Sequence, residues 1–183
     1  ISPDPVTSSP GTTYYGLLAS IMNKGYVDIN SLESVKSQLK SFYLDSGFMN
    51  STPADIFDQY LRTGMGAKPM IVDYEKSMID FANRNPEGYN QVKDRIRILY
   101  PSPTIWNSHC LTSFSESGNK YLEALQDKDI QKIAWQKYGF RTGLTGGNNV
   151  DDIIVEGIPQ EIGSITQGLK KEVYDGIIDL LKT

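Results

Sequence analysis

The sequence Ser8-Ser9-Pro10-Gly11-Thr12-Thr13 decides the fold that we expect, because it opens the first helix of the chain. Ser9 fits the N-cap of this helix, and Pro10 fits the first helical position, where a missing N–H group costs nothing. A helix N-terminus leaves backbone N–H groups without partners and carries the positive end of the helix dipole. The three residues after Pro10 would therefore offer amides and hydroxyls to a small anion or carboxylate. The alternative is that Ser9 only caps the helix.

Composition and charge argue against several classes of function. The chain has 183 residues and a formal net charge of −4. Binding to a nucleic-acid backbone needs clustered Lys and Arg, so we expect no nucleic-acid partner. No apolar run approaches the ~20 residues of a membrane-spanning helix, so no transmembrane segment is expected. No signal peptide is visible, and the start at Ile1 is interpreted as a boundary inside a longer protein.

Enzyme signatures are scarce in this sequence. His109 is the single histidine, so a histidine-rich metal site is excluded and a Ser/His/acid triad would have to use it. Cys110 is its neighbour, and adjacent side chains in an extended segment point to opposite faces, which disfavours a Cys–His pair. No serine lies in a G-x-S-x-G motif. We therefore predict no catalysis, no cofactor and no metal site.

Strand patterns alternate with helix patterns along the chain. Residues 69–74 form a short apolar run that is typical of a buried strand, and residues 95–100 alternate as a strand with one polar face does. Tyr74 and Trp106 lie at the ends of such segments, where a ligand could stack. Helical periodicity predicts helices in seven regions: 14–22, 30–46, 53–63, 78–82, 117–126, 129–138 and 165–181. This alternation predicts a layered α/β architecture.

Four segments resemble type II periplasmic (extracellular) solute-binding proteins, in the order in which that family has them. The first is Asp4-Pro5-x-x-Ser8-Ser9-Pro10-Gly11, which is similar to the turn of the molybdate- and sulfate-type members. The other three are 65–75, which ends in Tyr-Glu, 100–106, which ends in Ile-Trp, and 130–141, which ends in Gly-Phe-Arg.

The resemblance implies a three-layer α/β type II lobe, with a small mixed sheet flanked by helices. Residues 1–100 would be the second, ligand-binding lobe, and residues 101–183 a crossover segment with C-terminal helices that return to the first lobe. The first lobe itself is absent from the sequence. The expected ligand contacts are Ser8, Ser9, Gly11, Thr12, Thr13, Tyr74, Glu75 and Trp106.

The implied function is binding without chemistry. Such a protein is extracellular or periplasmic, in some cases lipid-anchored, and delivers a small solute or oxyanion to the membrane permease of an ABC-type importer. Two other interpretations stay open from the residues alone. An enzyme would need a polar cluster around Glu75, His109 or Arg141. A sensing or protein-interaction module of a larger surface protein would expose an apolar patch, for which Tyr15, Phe48 and Met49 are candidates.

Overall fold

The computed structural model describes residues 2–46, 53–63, 69–143 and 147–182. The chain divides into two compact units. Unit 1 contains Ile1–Asp73, Ser102–Trp106 and Ser164–Thr183, and unit 2 contains Tyr74–Pro101 and Asn107–Gly163. The expected division of roles between residues 1–100 and 101–183 stays a prediction.

Unit 1 is built on three helices that share one apolar core. Its described elements are α1 (Ser9–Met22), α2 (Ile29–Ser46), α3 (Pro53–Thr63), β1 (Thr104–Ile105), β2 (Ile165–Thr166) and α8 (Lys171–Lys182). The core side chains come from α1, α2, α8 and the residues next to them: Tyr15, Ala19, Val27, Leu32, Val35, Leu39, Tyr43, Leu169, Val173, Ile177 and Leu181. In α2 and α8 they recur three or four residues apart, which places them on one face of each helix.

The buried face of α1 differs from the one that its sequence predicts, because the spacing of Tyr14, Leu17, Leu18, Ile21 and Met22 predicts these as the buried side chains. In the structure Tyr15 is fully buried and packs edge-on against Phe42 and Tyr43, whereas Ile21 is 56% exposed. The hydroxyl group of Tyr15 lies 3.2 Å from the Oγ atom of Ser46, which satisfies the buried phenol. Tyr15 therefore does not contribute to an exposed patch, and Phe48 and Met49 lie outside the described residues.

Unit 2 packs α4 (Glu75–Arg84) against α7 (Lys128–Tyr138). Its other elements are α5 (Pro86–Val92), α6 (Glu116–Leu125) and a 3₁₀ turn (Val150–Asp152). Its buried apolar side chains are Met78, Ile79, Ala82, Tyr89, Trp135, Ile153, Val155 and Ile158. The Asn83 amide nitrogen donates to the carbonyl oxygens of Gln136 and Lys137 at 2.7 and 3.1 Å, which caps the end of α7.

The three-layer α/β prediction is wrong. The described residues form eight α-helices and a single two-stranded parallel sheet, in which Thr104 pairs with Ile165 and Ile105 with Thr166. Residues 69–74 and 95–100, which we expected to be strands, are not in any ladder. Residues 165 and 166, which we expected to begin the last helix, form β2 instead. A sheet of two residues per strand cannot form a layer that helices flank.

Within the described residues, none of the helices has both the length and the hydrophobicity needed to cross a bilayer.

Candidate functional site

The turn that precedes α1 is held together by Asp4. Its carboxylate accepts hydrogen bonds from the Val6 amide at 2.9 Å and from the Thr7 hydroxyl at 3.0 Å. Its carbonyl oxygen accepts from the Ser8 amide at 3.0 Å and from the Ser8 hydroxyl at 2.8 Å. Asp4 is 5% exposed, so these bonds satisfy a buried acidic residue. The Asp-Pro-x-x-Ser pattern is thus a closed local turn.

The N-cap of α1 is Ser8, one residue before the expected position. Its Oγ atom accepts from the Gly11 amide at 3.3 Å. The hydroxyl of Thr12 donates to the Pro5 carbonyl oxygen at 2.7 Å. A Cβ atom on Gly11 would lie 2.5 Å from the Pro3 carbonyl oxygen, so the preceding chain lies directly against this turn. The amides and hydroxyls that we expected to face a ligand are largely used inside the chain.

Ser9 is the member of this group that remains available. It is exposed, and neither its amide nor its hydroxyl forms a hydrogen bond with the described part of the chain. Thr13 is half-buried and has an interaction partner. Pro10 has no N–H group and Gly11 is buried, so an anion at this helix end would contact the amide and hydroxyl of Ser9.

Glu75 and Arg141 form a buried ion pair in unit 2. The Nε atom of Arg141 donates to one carboxylate oxygen of Glu75 at 2.6 Å, and an Nη atom donates to the other at 3.2 Å. The side chains of Arg141 and Glu75 are only 7% and 18% exposed. A two-point contact of this kind fixes both the distance and the orientation of the two groups.

Tyr100 completes this cluster, which we call the Glu75 cluster: Glu75, Tyr100 and Arg141. The Tyr100 hydroxyl donates to a Glu75 carboxylate oxygen at 2.5 Å. Burial raises the pKa of Tyr100 well above its usual value of 10.0, and the bonded, negatively charged Glu75 adds to the rise. Tyr100 therefore keeps its proton at neutral pH and acts as a hydrogen-bond donor, not as a base.

Arg141 is held by further contacts within unit 2. Its guanidinium carbon lies 5.1 Å from the ring centre of Trp135, which is fully buried. It also donates to the carbonyl oxygens of Pro159 at 2.7 Å and Gln160 at 3.1 Å. Most of the N–H groups of Arg141 are used in these contacts, so Arg141 is poorly suited to bind an external anion. The main effect of the cluster is to hold segments of unit 2 together.

The C-terminus of α7 brings Arg141 to Glu75. Gly139 ends the helix with φ of 70° and donates to the carbonyl oxygen of Trp135 at 2.9 Å. A Cβ atom on Gly139 would lie 2.7 Å from the Cα atom of Lys76. Helix α4 therefore approaches the end of α7 as closely as a glycine allows, two residues before Arg141.

The other sequence-predicted residues are placed separately. Tyr74 is half-buried, and its hydroxyl oxygen accepts from the side-chain amide of Asn107 at 2.7 Å. Trp106 belongs to unit 1 and is 42% exposed. The ring of His109 packs edge-on against Phe140, with centroids 5.4 Å apart. None of these three side chains belongs to the Glu75 cluster.

The sequence predicted Tyr100 as the end of a strand and the start of a family-like segment, but not its contact with Glu75. The only local signal was that Tyr100 falls among the less polar positions of the alternating pattern in residues 95–100. In the described part of the chain, no three His, Cys, Asp or Glu side chains come close enough together to hold a metal ion. Comparisons of the chain with protein-family models, with curated proteins and with solved structures gave no match.

Proposed function

We propose that this chain is the solute-binding component of an ABC-type importer, and that it binds a small oxyanion without converting it. The proposal does not include a three-layer lobe. It is supported by the order of the four family-like segments in the sequence and by one feature of the structure, the Glu75 cluster.

Three of the four segments meet in that cluster. Residues 65–75 supply Glu75, residues 100–106 supply Tyr100 and residues 130–141 supply Arg141. Segments that resemble one family are thus joined by their own polar residues. This is the observation on which the proposal most depends.

The oxyanion would bind at the N-terminus of α1. The helix dipole and the amide of Ser9 favour a negative charge there, and the Ser9 hydroxyl adds a second donor. No Lys or Arg occurs before Lys24 in the sequence, so these neutral donors would hold the ion. A hydrogen bond to a charged group contributes about 1.5–3 kcal/mol, which is roughly a tenfold or greater effect on affinity.

Calorimetric titration with sulfate and with molybdate tests this site. Ser9→Ala should weaken binding at least tenfold and leave the melting temperature of the free protein unchanged, because Ser9 is exposed and its hydroxyl has no hydrogen bond to the described part of the chain. Ser41→Ala is the matched control, since Ser41 is an exposed serine in the middle of α2. The Ser8→Ala variant is less informative, because it also removes the helix cap. Unchanged affinity in Ser9→Ala would refute the site.

A protein-interaction module is the second candidate. Helix α6 contributes no buried side chain to unit 2, and Phe114, two residues before it, is 95% exposed. Tyr121 within the helix is 59% exposed. Exposed aromatic residues of this kind favour contact with another protein. If this candidate is correct, neither oxyanion gives a binding heat in the same titration.

A further inference from the structure

Residues 95–100 have the exposure pattern of a strand, although the structure has no strand there. The exposed residues alternate with half-buried ones: Arg95, Arg97 and Leu99 are exposed, and Ile96, Ile98 and Tyr100 are half-buried. A period of two is the side-chain repeat of a strand, not of a helix or a turn. Side-chain packing in this segment is therefore already strand-like.

Residues 97–99 have no backbone hydrogen-bond partner within the described part of the chain, although the segment is anchored at both ends. The Ile96 amide donates to the Val92 carbonyl oxygen at 3.1 Å, and the Tyr100 hydroxyl is bonded to Glu75 at 2.5 Å. Between them, the amides and carbonyls of residues 97–99 form no hydrogen bond with the described part of the chain. Such unpaired groups, held in place at both ends, are a template for an additional strand.

We propose that residues 96–100 bind an extended segment of another polypeptide as a β-strand, and that this segment carries acidic side chains opposite Arg97 and beside Arg95, which lies just before the strand. Strand addition gives affinity through main-chain hydrogen bonds, and alternate side chains give specificity. This inference does not rest on the solute-binding proposal, because it concerns a different binding site: the oxyanion would bind at α1 of unit 1, and the added strand would bind at residues 96–100 of unit 2.

The charge of the segment selects the acidic partner. Neither Arg95 nor Arg97 forms an ion pair within the described residues. Arg97 uses its Nη1 atom on the carbonyl oxygens of Asp94 and Ile96, at 3.1 and 2.8 Å. Opposite charges that face each other across two strands are stabilising, so Glu or Asp at these positions is favoured over Lys or Arg.

A second copy of the chain fits this edge poorly. Residues that face each other in a ladder lie on the same side of the sheet. Antiparallel self-pairing centred on Ile96 or Arg97 would place an arginine opposite an arginine, which is destabilising. Pairing centred on Ile98 would place Arg97 opposite Leu99 and would give neither arginine an acidic neighbour. Charge therefore favours a different, acidic polypeptide.

Two capped peptides, (Glu-Val)₃ and (Lys-Val)₃ with a fluorescent label, test the inference by anisotropy at low salt. We expect the glutamate peptide to bind at least tenfold more tightly than the lysine peptide. The double replacement Arg95→Glu and Arg97→Glu should reverse this preference. Equal binding of the two peptides by the unmodified protein would overturn the proposal. This comparison does not depend on how well the variants fold.

Leu99→Pro tests whether the contact is made by the backbone. Leu99 is 78% exposed, so its replacement removes little packing, but proline removes the amide that a ladder needs. Leu99→Ala is the matched control, because it loses the same side chain and keeps the amide. We expect binding to be lost in the proline variant and kept in the alanine variant. Unchanged peptide binding by the proline variant, or a dimer in sedimentation that this variant disrupts, would contradict the proposal.

Discussion

Gly139→Ala is the replacement for which the structure gives the sharpest expectation. Gly139 has φ of 70°, a conformation that an L-residue rarely adopts. The added Cβ atom would lie 2.7 Å from the Cα atom of Lys76 and 3.0 Å from the Cβ atom of Ile79. The first contact is with backbone, so the alanine would have to push α4 away from the end of α7.

The expected loss of stability in Gly139→Ala has two parts. An alanine in the left-handed region costs about 1–2 kcal/mol, and an extra methyl group in a packed interface costs about 1–3 kcal/mol. Gly139→Ala should thus lower the free energy of unfolding by about 2–5 kcal/mol. Gly157 supplies the control, because it has φ of 86° but no heavy atom within 4 Å of an added Cβ. Gly157→Ala should lose only the conformational part, about 1–2 kcal/mol.

Urea denaturation followed by tryptophan fluorescence measures the difference. The chain has two tryptophans, and the replacement Trp106→Phe leaves the buried Trp135 of unit 2 as the reporter. The two alanine variants should be compared in that background. Equal losses in Gly139→Ala and Gly157→Ala would refute the claim that close contact between α4 and α7 limits residue 139.

Two further predictions concern charged groups. Arg141→Met should lower the free energy of unfolding by about 3–5 kcal/mol, because it leaves the Glu75 carboxylate in a largely dry site without its cation. The double variant with Glu75→Leu should recover part of this loss in urea titrations, and a double variant less stable than the single would contradict the account. The second prediction is acid sensitivity at the start of α2, where the Asp28 carboxylate accepts hydrogen bonds from Ser31, above all from its backbone amide, which lower the pKa of Asp28 below its ordinary 3.8. A lowered folded pKa gives stabilisation that is complete above the ordinary value and is lost as the pH falls through the folded one. Asp28→Asn keeps an acceptor but cannot titrate, so its melting temperature should fall less than that of the parent protein between about pH 5 and about pH 2. Identical acid profiles would contradict this.

Helices α2, α3 and α7 could be predicted to within one residue because their signals are local, whereas α5 was not predicted. In α2, Leu32, Val35 and Leu39 recur at the spacing of one helix face, which predicts that they are buried, and all three are. The N-cap of α1 was misplaced by one residue because Ser8 and Ser9 are both good caps. The choice between them depends on Asp4, whose carbonyl oxygen binds the hydroxyl of Ser8.

The strands could not be predicted in the same way. The alternation in residues 95–100 correctly indicates which side chains are more buried, since the exposure of these residues has the period of a strand. A strand also needs a neighbour for its backbone, and no property of six residues specifies where that neighbour is. In the described residues, the only ladder joins β1 to β2, which lie far apart in the sequence and carry no long alternation. Periodicity therefore predicts which side chains of a segment are buried, but not whether its backbone pairs with another strand.

The candidate site illustrates the same limit for polar groups. Glu75 and Arg141 are 66 residues apart, and each alone has the sequence context of an ordinary surface charge. At the turn before α1 the sequence suggests a ligand site too readily. Its polar residues are close in sequence and form hydrogen bonds with one another. Small hydroxyl side chains bind neighbouring backbone as readily as they bind a guest. A run of Ser, Gly and Thr at a helix start therefore predicts an anion site only where the preceding chain leaves it uncovered. Here Asp4 and Pro5 accept the hydroxyls of Ser8 and Thr12, so the proposed anion site at this helix end depends on Ser9, the one residue whose replacement should not affect the fold.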